Sequence, residues 1–155
     1  MADKKILIVD YDQRSVEGLV ALFEPLGFAV TTAMDGLSAW EKYQLERPDL
    51  VVLEAILPRL HGFDLTKRIV QDSRGAVPVI IVTGLYRGPQ YRHEALTAFG
   101  AAEYLEKPVD EARLLQLAQD LLREKVDVGL DLPTPDEIAV FLRKRLVERR
   151  KERAV

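Results

Sequence analysis

Four short apolar runs set the architecture: residues 6–9 (ILIV), 28–30 (FAV), 50–53 (LVVL) and 79–82 (VIIV). They are rich in valine and isoleucine and scarcely alternate with polar residues. A strand with one wet face alternates, whereas a continuous run of this length belongs to a strand buried on both faces. That means a parallel sheet covered by helices. The segments between the runs carry helical spacing. Residues 13–26 place Val16, Leu19, Val20 and Phe23 three or four apart, and Pro25-Leu26-Gly27 closes the stretch. Further helices are expected over 36–46, 63–70, 90–99 and 110–124, and a last weak strand over 102–105. Strand followed by helix, five times, with right-handed crossovers, specifies an α/β doubly wound five-stranded parallel sheet over residues 1–125.

Beyond it, residues 126–133 read as a linker, with Gly129 and Pro133 as breakers. TPDE at 134–137 is a helix start: Thr134 caps, Pro135 fits the first helical position, and Glu137 sits three after the cap. Ile138, Phe141, Leu142 and Leu146 mark one face of a basic amphipathic C-terminal helix over 134–155. Residues 143–153 hold seven basic and two acidic side chains, a balance of +5, so the rest of the chain carries −8 of the net −3. A linker or dimer helix is the favoured reading. A single helix without a helix-turn-helix pattern makes a nucleic-acid partner unlikely, and no aromatic-rich apolar face suits a membrane surface.

The chain has no cysteine, which excludes disulfides and thiolate metal sites and suits the cytoplasm. No apolar run approaches the ~20 residues that span a bilayer. The four apolar residues before Asp10 are too few for a signal peptide.

Strands that all point one way bring their C-terminal ends to one edge, where such folds bind ligands. Asp10 follows the first run, Glu54 the third, Thr83 the fourth, and Lys107 follows Leu105 by two. Strand ends are polar wherever loops are wet, and that explains any one of these residues. It explains two acids, a hydroxyl and an amine together less well, because they are complementary around a phosphoryl group and a cation.

Four stretches, ILIVDYD (6–12), PDLVVLEAILPRLHGFDL (48–65), PVIIVTG (78–84) and GAAEYLEKP (100–108), resemble the receiver domain of two-component response regulators across residues 4–124. The resemblance implies a (βα)5 flavodoxin-like fold. It also implies an acid pair binding Mg2+, an Asp accepting a phosphoryl group from a histidine kinase, and a Thr and a Lys binding the phosphoryl oxygens. An aromatic on the fifth strand turns inward on activation. Asp10 matches the first acid, but Tyr11 replaces the second, and Asp12 lies one position too late. Glu54 occupies the phospho-acceptor position. Thr83, Lys107 and the switch aromatic Tyr104 match, and Lys107-Pro108 resembles the family's cis peptide bond.

Both departures act against metal-assisted phosphorylation. Mg2+ demands near-octahedral oxygen ligands, and Tyr11 removes a carboxylate. Glu54 moves its carboxylate outward by about 1.5 Å, and misplacement of that order costs ~100-fold. No metal or other cofactor is therefore expected; if Mg2+ binds, Asp10 is its one ligand here. The longer carboxylate reaches toward the place of the phosphoryl oxygens, where Lys107 and Thr83 could bind it. Two readings stay open: a phosphorylation-independent pseudo-receiver held active-like by a Glu54–Lys107 pair, and a docking module whose chemistry is gone. An engineered Asp-to-Glu mimic is a third, which Tyr11 argues against.

The leading function is a non-enzymatic signalling module whose partner is a signalling protein or effector domain. The runner-up is a competent regulator phosphorylated slowly or elsewhere; another is the N-terminal part of a larger regulator with its output domain missing. An unrelated α/β enzyme is disfavoured, since no Gly-rich phosphate loop or G-x-S-x-G elbow is present. A homodimer is expected through residues 90–124 or the C-terminal helix, with Tyr86, Tyr91 and Tyr104 as interaction residues. His61 and His93 read as surface residues, Trp40 as core, and Asp64 and Asp110 as helix-start acids.

Overall fold

A computed structural model describes residues 4–130, with side chains described through residue 123. The chain divides into two compact units, Met1–Leu122 and Arg123–Val155. The first is the expected α/β domain. Its strands are β1 Lys5–Val9, β2 Ala29–Ala33, β3 Leu50–Leu53, β4 Val79–Thr83 and β5 Glu103–Glu106. They form one parallel sheet in the order β2-β1-β3-β4-β5. The helices are α1 Gln13–Phe23, α2 Gly36–Glu46, α3 Gly62–Ser73, α4 Pro89–Thr97 and α5 Glu111–Leu130.

The unbroken apolar runs are explained by the two cores they serve. Leu7, Val9, Val51, Leu53, Val79 and Ile81 pack on one face with Phe63, Leu65 and Ile69 of α3. Ile6, Ile8, Leu50, Val52, Ile80 and Val82 pack on the other with Leu19 and Phe23 of α1 and Leu114 and Leu122 of α5. Side chains of a strand point alternately to opposite faces, so a sheet covered on both sides needs apolar residues at every position. β2, at the sheet edge, is the exception. Its centre is half-buried, and it runs three residues past the expected 28–30 because Thr31 and Thr32 suit an edge that meets water.

Helix boundaries differ by a few residues. Asp12 and Asp35 accept backbone N–H groups at the starts of α1 and α2, and Asp110 does so for α5 by accepting Arg113 N–H. Helix α1 gives way at Phe23 to a single 3-10 turn, Glu24–Leu26, which the proline in its first turn favours. Helix α5 continues through residues 126–130, inside the stretch expected as linker. Gly129 costs only about 1 kcal/mol inside a helix and no proline intervenes before 133. The rest of that linker and the basic helix expected over 134–155 lie outside the described residues. Among the described residues no helix is long and apolar enough to cross a membrane.

Gly18 is a site of avoidable cost. It lies in the middle of α1, and a Cβ there would meet nothing within 4 Å. Gly18→Ala should therefore raise folding stability by about 0.5–1 kcal/mol, read as a higher urea midpoint with unchanged slope.

Candidate functional site

The register of the sheet builds the site. Val9 pairs with Leu53 across β1 and β3, so the residues that follow them, Asp10 and Glu54, leave the sheet side by side. Backbone bonds extend the ladder past the strands: Glu54 N–H donates to Val9 C=O at 2.9 Å and Asp10 N–H to Ala33 C=O at 3.2 Å. From the other side, Lys107 N–H donates to Thr83 C=O at 2.8 Å, and the Lys107-Pro108 bond is cis. Asp10 and Glu54 are each only 2% exposed.

Two buried carboxylates then share one ammonium. Lys107 Nζ donates to Asp10 Oδ2 at 2.7 Å and to Glu54 Oε1 at 3.3 Å, with Ser15 Oγ at 3.4 Å. The remaining carboxylate oxygens accept backbone donors, Asp10 Oδ1 from Asp12 N–H at 2.9 Å and Glu54 Oε2 from Ile56 N–H at 3.3 Å. Burial pushes the Lys107 pKa down, but the hydrogen bond and charge of Asp10, and then those of Glu54, outweigh it and hold it above its ordinary 10.5.

The Glu54–Lys107 pair is thus present, with Asp10 as the shorter partner. Thr83 does not join it: its hydroxyl oxygen accepts Leu85 N–H at 3.3 Å, and among the described residues it makes no hydrogen bond to Glu54. The expected direct contact fails because Thr83 is turned toward the start of its own loop. Tyr11 is exposed, and the Asp12 carboxylate caps α1, accepting Arg14 N–H at 3.0 Å. Among the described residues, no group of three or more His, Asp or Glu is arranged to hold a metal ion.

Tyr104 points inward and is buried, with its hydroxyl donating to the Tyr86 carbonyl. Burial first, then the charges of Glu106 and Glu54, push its pKa well up, so it stays a neutral donor. Around it lies an aromatic cluster. Phe63 stands 6.3 Å from Tyr104, Tyr86 stacks on Tyr91 at 5.0 Å, and His61 stacks on Tyr86 at 5.8 Å. Two expectations change here. At 4% exposure Tyr104 offers nothing to a partner, because the cluster has enclosed it, while Tyr86 and Tyr91 are half-buried. His61 is more than a surface residue: its Nδ1 accepts Phe63 N–H at 3.2 Å and caps α3. The His-Gly pair ahead of a helical stretch was the available signal for that cap. His93 is exposed. Trp40 is half-buried and stacks on Tyr43 at 5.3 Å.

An open, largely apolar cavity of about 220 Å³ is lined by Lys107 together with Gly18, Leu19, Leu22, Val82 and Pro108 among others.

Comparison with known proteins agrees with this geometry. The family model of the response regulator receiver domain matches residues 6–119. PilH from Pseudomonas aeruginosa is 34% identical over 119 residues, which covers 76% of this chain and 97% of PilH. The transcriptional regulatory protein CrdR from Helicobacter pylori is 33% identical over 123 residues, 76% of this chain and 56% of CrdR. The chain spans about half the length of several such curated relatives. Among solved structures, a CheY-like receiver domain protein from Methanospirillum hungatei aligns with a TM-score of 0.74 at 28% identity, covering 81% of this chain and 98% of that one.

Proposed function

The chain belongs to the response regulator receiver family, and on that premise we propose that it is a phosphorylation-independent receiver, signalling through protein contacts. Family membership carries the signal-transduction role and the expectation of a signalling protein or effector domain as partner. The observation that carries the rest is the closed pairing of charges. Lys107 already bridges both buried carboxylates, and among the described residues no third acid joins them in a group that could hold a metal ion. A metal site at this position needs several oxygens free to point at one ion. Here one candidate ligand has become an exposed Tyr11, the next acid caps a helix, and all four oxygens of Asp10 and Glu54 accept hydrogen bonds from protein donors. The donor set does not fit Mg2+.

The inward Tyr104 supports an active-like state, since the family resemblance links that arrangement to activation. A domain that holds it without phosphoryl transfer needs no catalysis of its own. Its output then lies in a partner or in a further domain, in keeping with the larger size of several relatives. The face formed by α4, β5 and α5 is the proposed dimer surface. There Glu103 pairs with Arg92 at 2.8 Å and with Arg113 at 3.6 Å. A cytoplasmic setting without nucleic acid completes the proposal.

The test is intact mass after incubation with Mg2+ and a small phosphodonor. It is run on the parent and on the Tyr11→Asp/Glu54→Asp double variant. The parent should gain nothing and the variant one phosphoryl group. A phosphoryl gain in the parent would instead make it a working phosphorylation switch.

A further inference from the structure

The loop between β4 and α4 carries an arginine in a position that the charge pairing does not use. Arg87 is an exposed residue, yet its guanidinium is bound at two points. Nη2–H donates to the Lys107 carbonyl at 2.6 Å and Nε–H to the Gly84 carbonyl at 3.2 Å. Gly84 directly follows Thr83. One side chain therefore joins the backbone just past Thr83 to the backbone of Lys107, the two segments that would otherwise be bridged by phosphoryl oxygens.

The neighbouring residues of the loop are tied the same way. Tyr86 C=O accepts the Tyr104 hydroxyl, and Gly88 N–H donates to Glu106 Oε1 at 3.0 Å. Three successive residues, Tyr86, Arg87 and Gly88, are thus fastened to β5 and the residue that follows it. Of these ties, only Arg87 reaches Lys107 itself. The chemistry suits arginine: a planar fork of N–H donors can grip two carbonyls at once, and a lysine ammonium on a flexible stem holds such a pair poorly.

We propose that Arg87 is an internal clamp that holds the β4–α4 loop onto the Lys107 segment, positioning Lys107 and keeping Tyr104 turned inward without a phosphoryl group. The clamp is a positioning device, and its regulatory meaning rests on the phosphorylation-independent reading above. The competing view is an exposed arginine lying on convenient carbonyls. Such a contact would leave the loop unchanged when removed, as surface interactions of long charged side chains commonly do.

The experiment is amide hydrogen exchange on the full chain, without phosphodonor, for the parent, Arg87→Ala and Arg87→Lys. The probes are the amides of Leu85 and Gly88, which donate to Thr83 Oγ1 and Glu106 Oε1 respectively. Both variants should exchange faster there by about tenfold, the size of one charge-assisted hydrogen bond acting on local opening. Amides in β1 and β3 and the melting midpoint should stay as in the parent. Parent-like exchange in Arg87→Ala overturns the clamp, and so does full rescue by Arg87→Lys. The phosphoryl-mass test separates the two proposals. Phosphorylation of the parent sinks independence and leaves the clamp to be judged by exchange alone. A refusal of phosphoryl transfer together with exchange indifferent to Arg87 sinks only the clamp.

Discussion

Lys107→Met should cost about 3 kcal/mol of folding stability at neutral pH, the lower end of what removing one partner of a buried ion pair costs. The lower end applies because the Lys107 side chain is 25% exposed, whereas the acids it serves are almost fully enclosed. Methionine keeps much of the stem's volume, so the loss reports charge and hydrogen bonding more than packing. Two carboxylates are left facing each other with one backbone donor apiece. A midpoint of urea denaturation at pH 7 measures the effect, and a loss below about 1 kcal/mol would mean that water replaces the ammonium. The pH dependence has a definite sign. Lys107 binds its proton more tightly folded than unfolded, so its contribution is complete below the ordinary 10.5 and fades as pH rises through the higher folded value. Parent and variant should therefore converge in strongly alkaline solution. Tyr43, pushed up to about 12 by burial and its bond to Asp72, and Tyr104, also raised, weaken both proteins alike above pH 10. The difference between the two proteins isolates the lysine.

The parts of this molecule legible from its sequence are those set by short-range periodicity. Runs such as LVVL at 50–53 announce a strand buried on both faces, and parallel strands have one C-terminal edge. Placing Asp10, Glu54, Thr83 and Lys107 along that edge needs only those two facts. Periodicity does not report what happens between loops. Asp10 lies closer to Lys107 than Glu54 does, at 2.7 against 3.3 Å, a detail of three-dimensional course. Arg87 owes its role to a contact twenty residues away, the Lys107 carbonyl, and the Tyr86 ring on which His61 stacks is likewise distant in the chain. Thr31 and Thr32 break the apolar run of the edge strand β2 while still fitting a half-wet strand, so periodicity alone ends it early. Glycine at 129 looks like a breaker, yet a helix otherwise free of breakers absorbs it.

The loop after β3 is where a single added methyl group should do the most local damage. Glu54 is delivered to the site by a chain that turns through residues 55–61 and is gripped by glycines at two places. A Cβ on Gly62 would sit 2.3 Å from the Glu54 carbonyl oxygen and 2.7 Å from that of Ala55. A Cβ on Gly36, at the start of α2, would sit 2.0 Å from the Leu60 carbonyl oxygen. All of these obstacles are backbone, so no side chain can rotate away to make room. The loop cannot drift outward cheaply either. Gly62 N–H donates to Ala55 C=O at 2.8 Å and Gly36 N–H to Pro58 C=O at 3.0 Å, so relief of the clash stretches or breaks those bonds. Gly62→Ala and Gly36→Ala should each cost about 3 kcal/mol, the upper part of the usual range for overpacking. For a domain of this size that lowers the melting midpoint by on the order of 10 °C. The two should differ in the site. Gly62→Ala pushes directly on the backbone of Glu54 and should lengthen the Glu54–Lys107 contact, whereas Gly36→Ala acts through Leu60 and Pro58. Amide exchange at Ile56, whose N–H donates to Glu54 Oε2, reads the difference. It should rise more in Gly62→Ala than in Gly36→Ala at equal loss of global stability. Equal rises would show that the loop yields as one body and that Gly62 has no special hold on the acid.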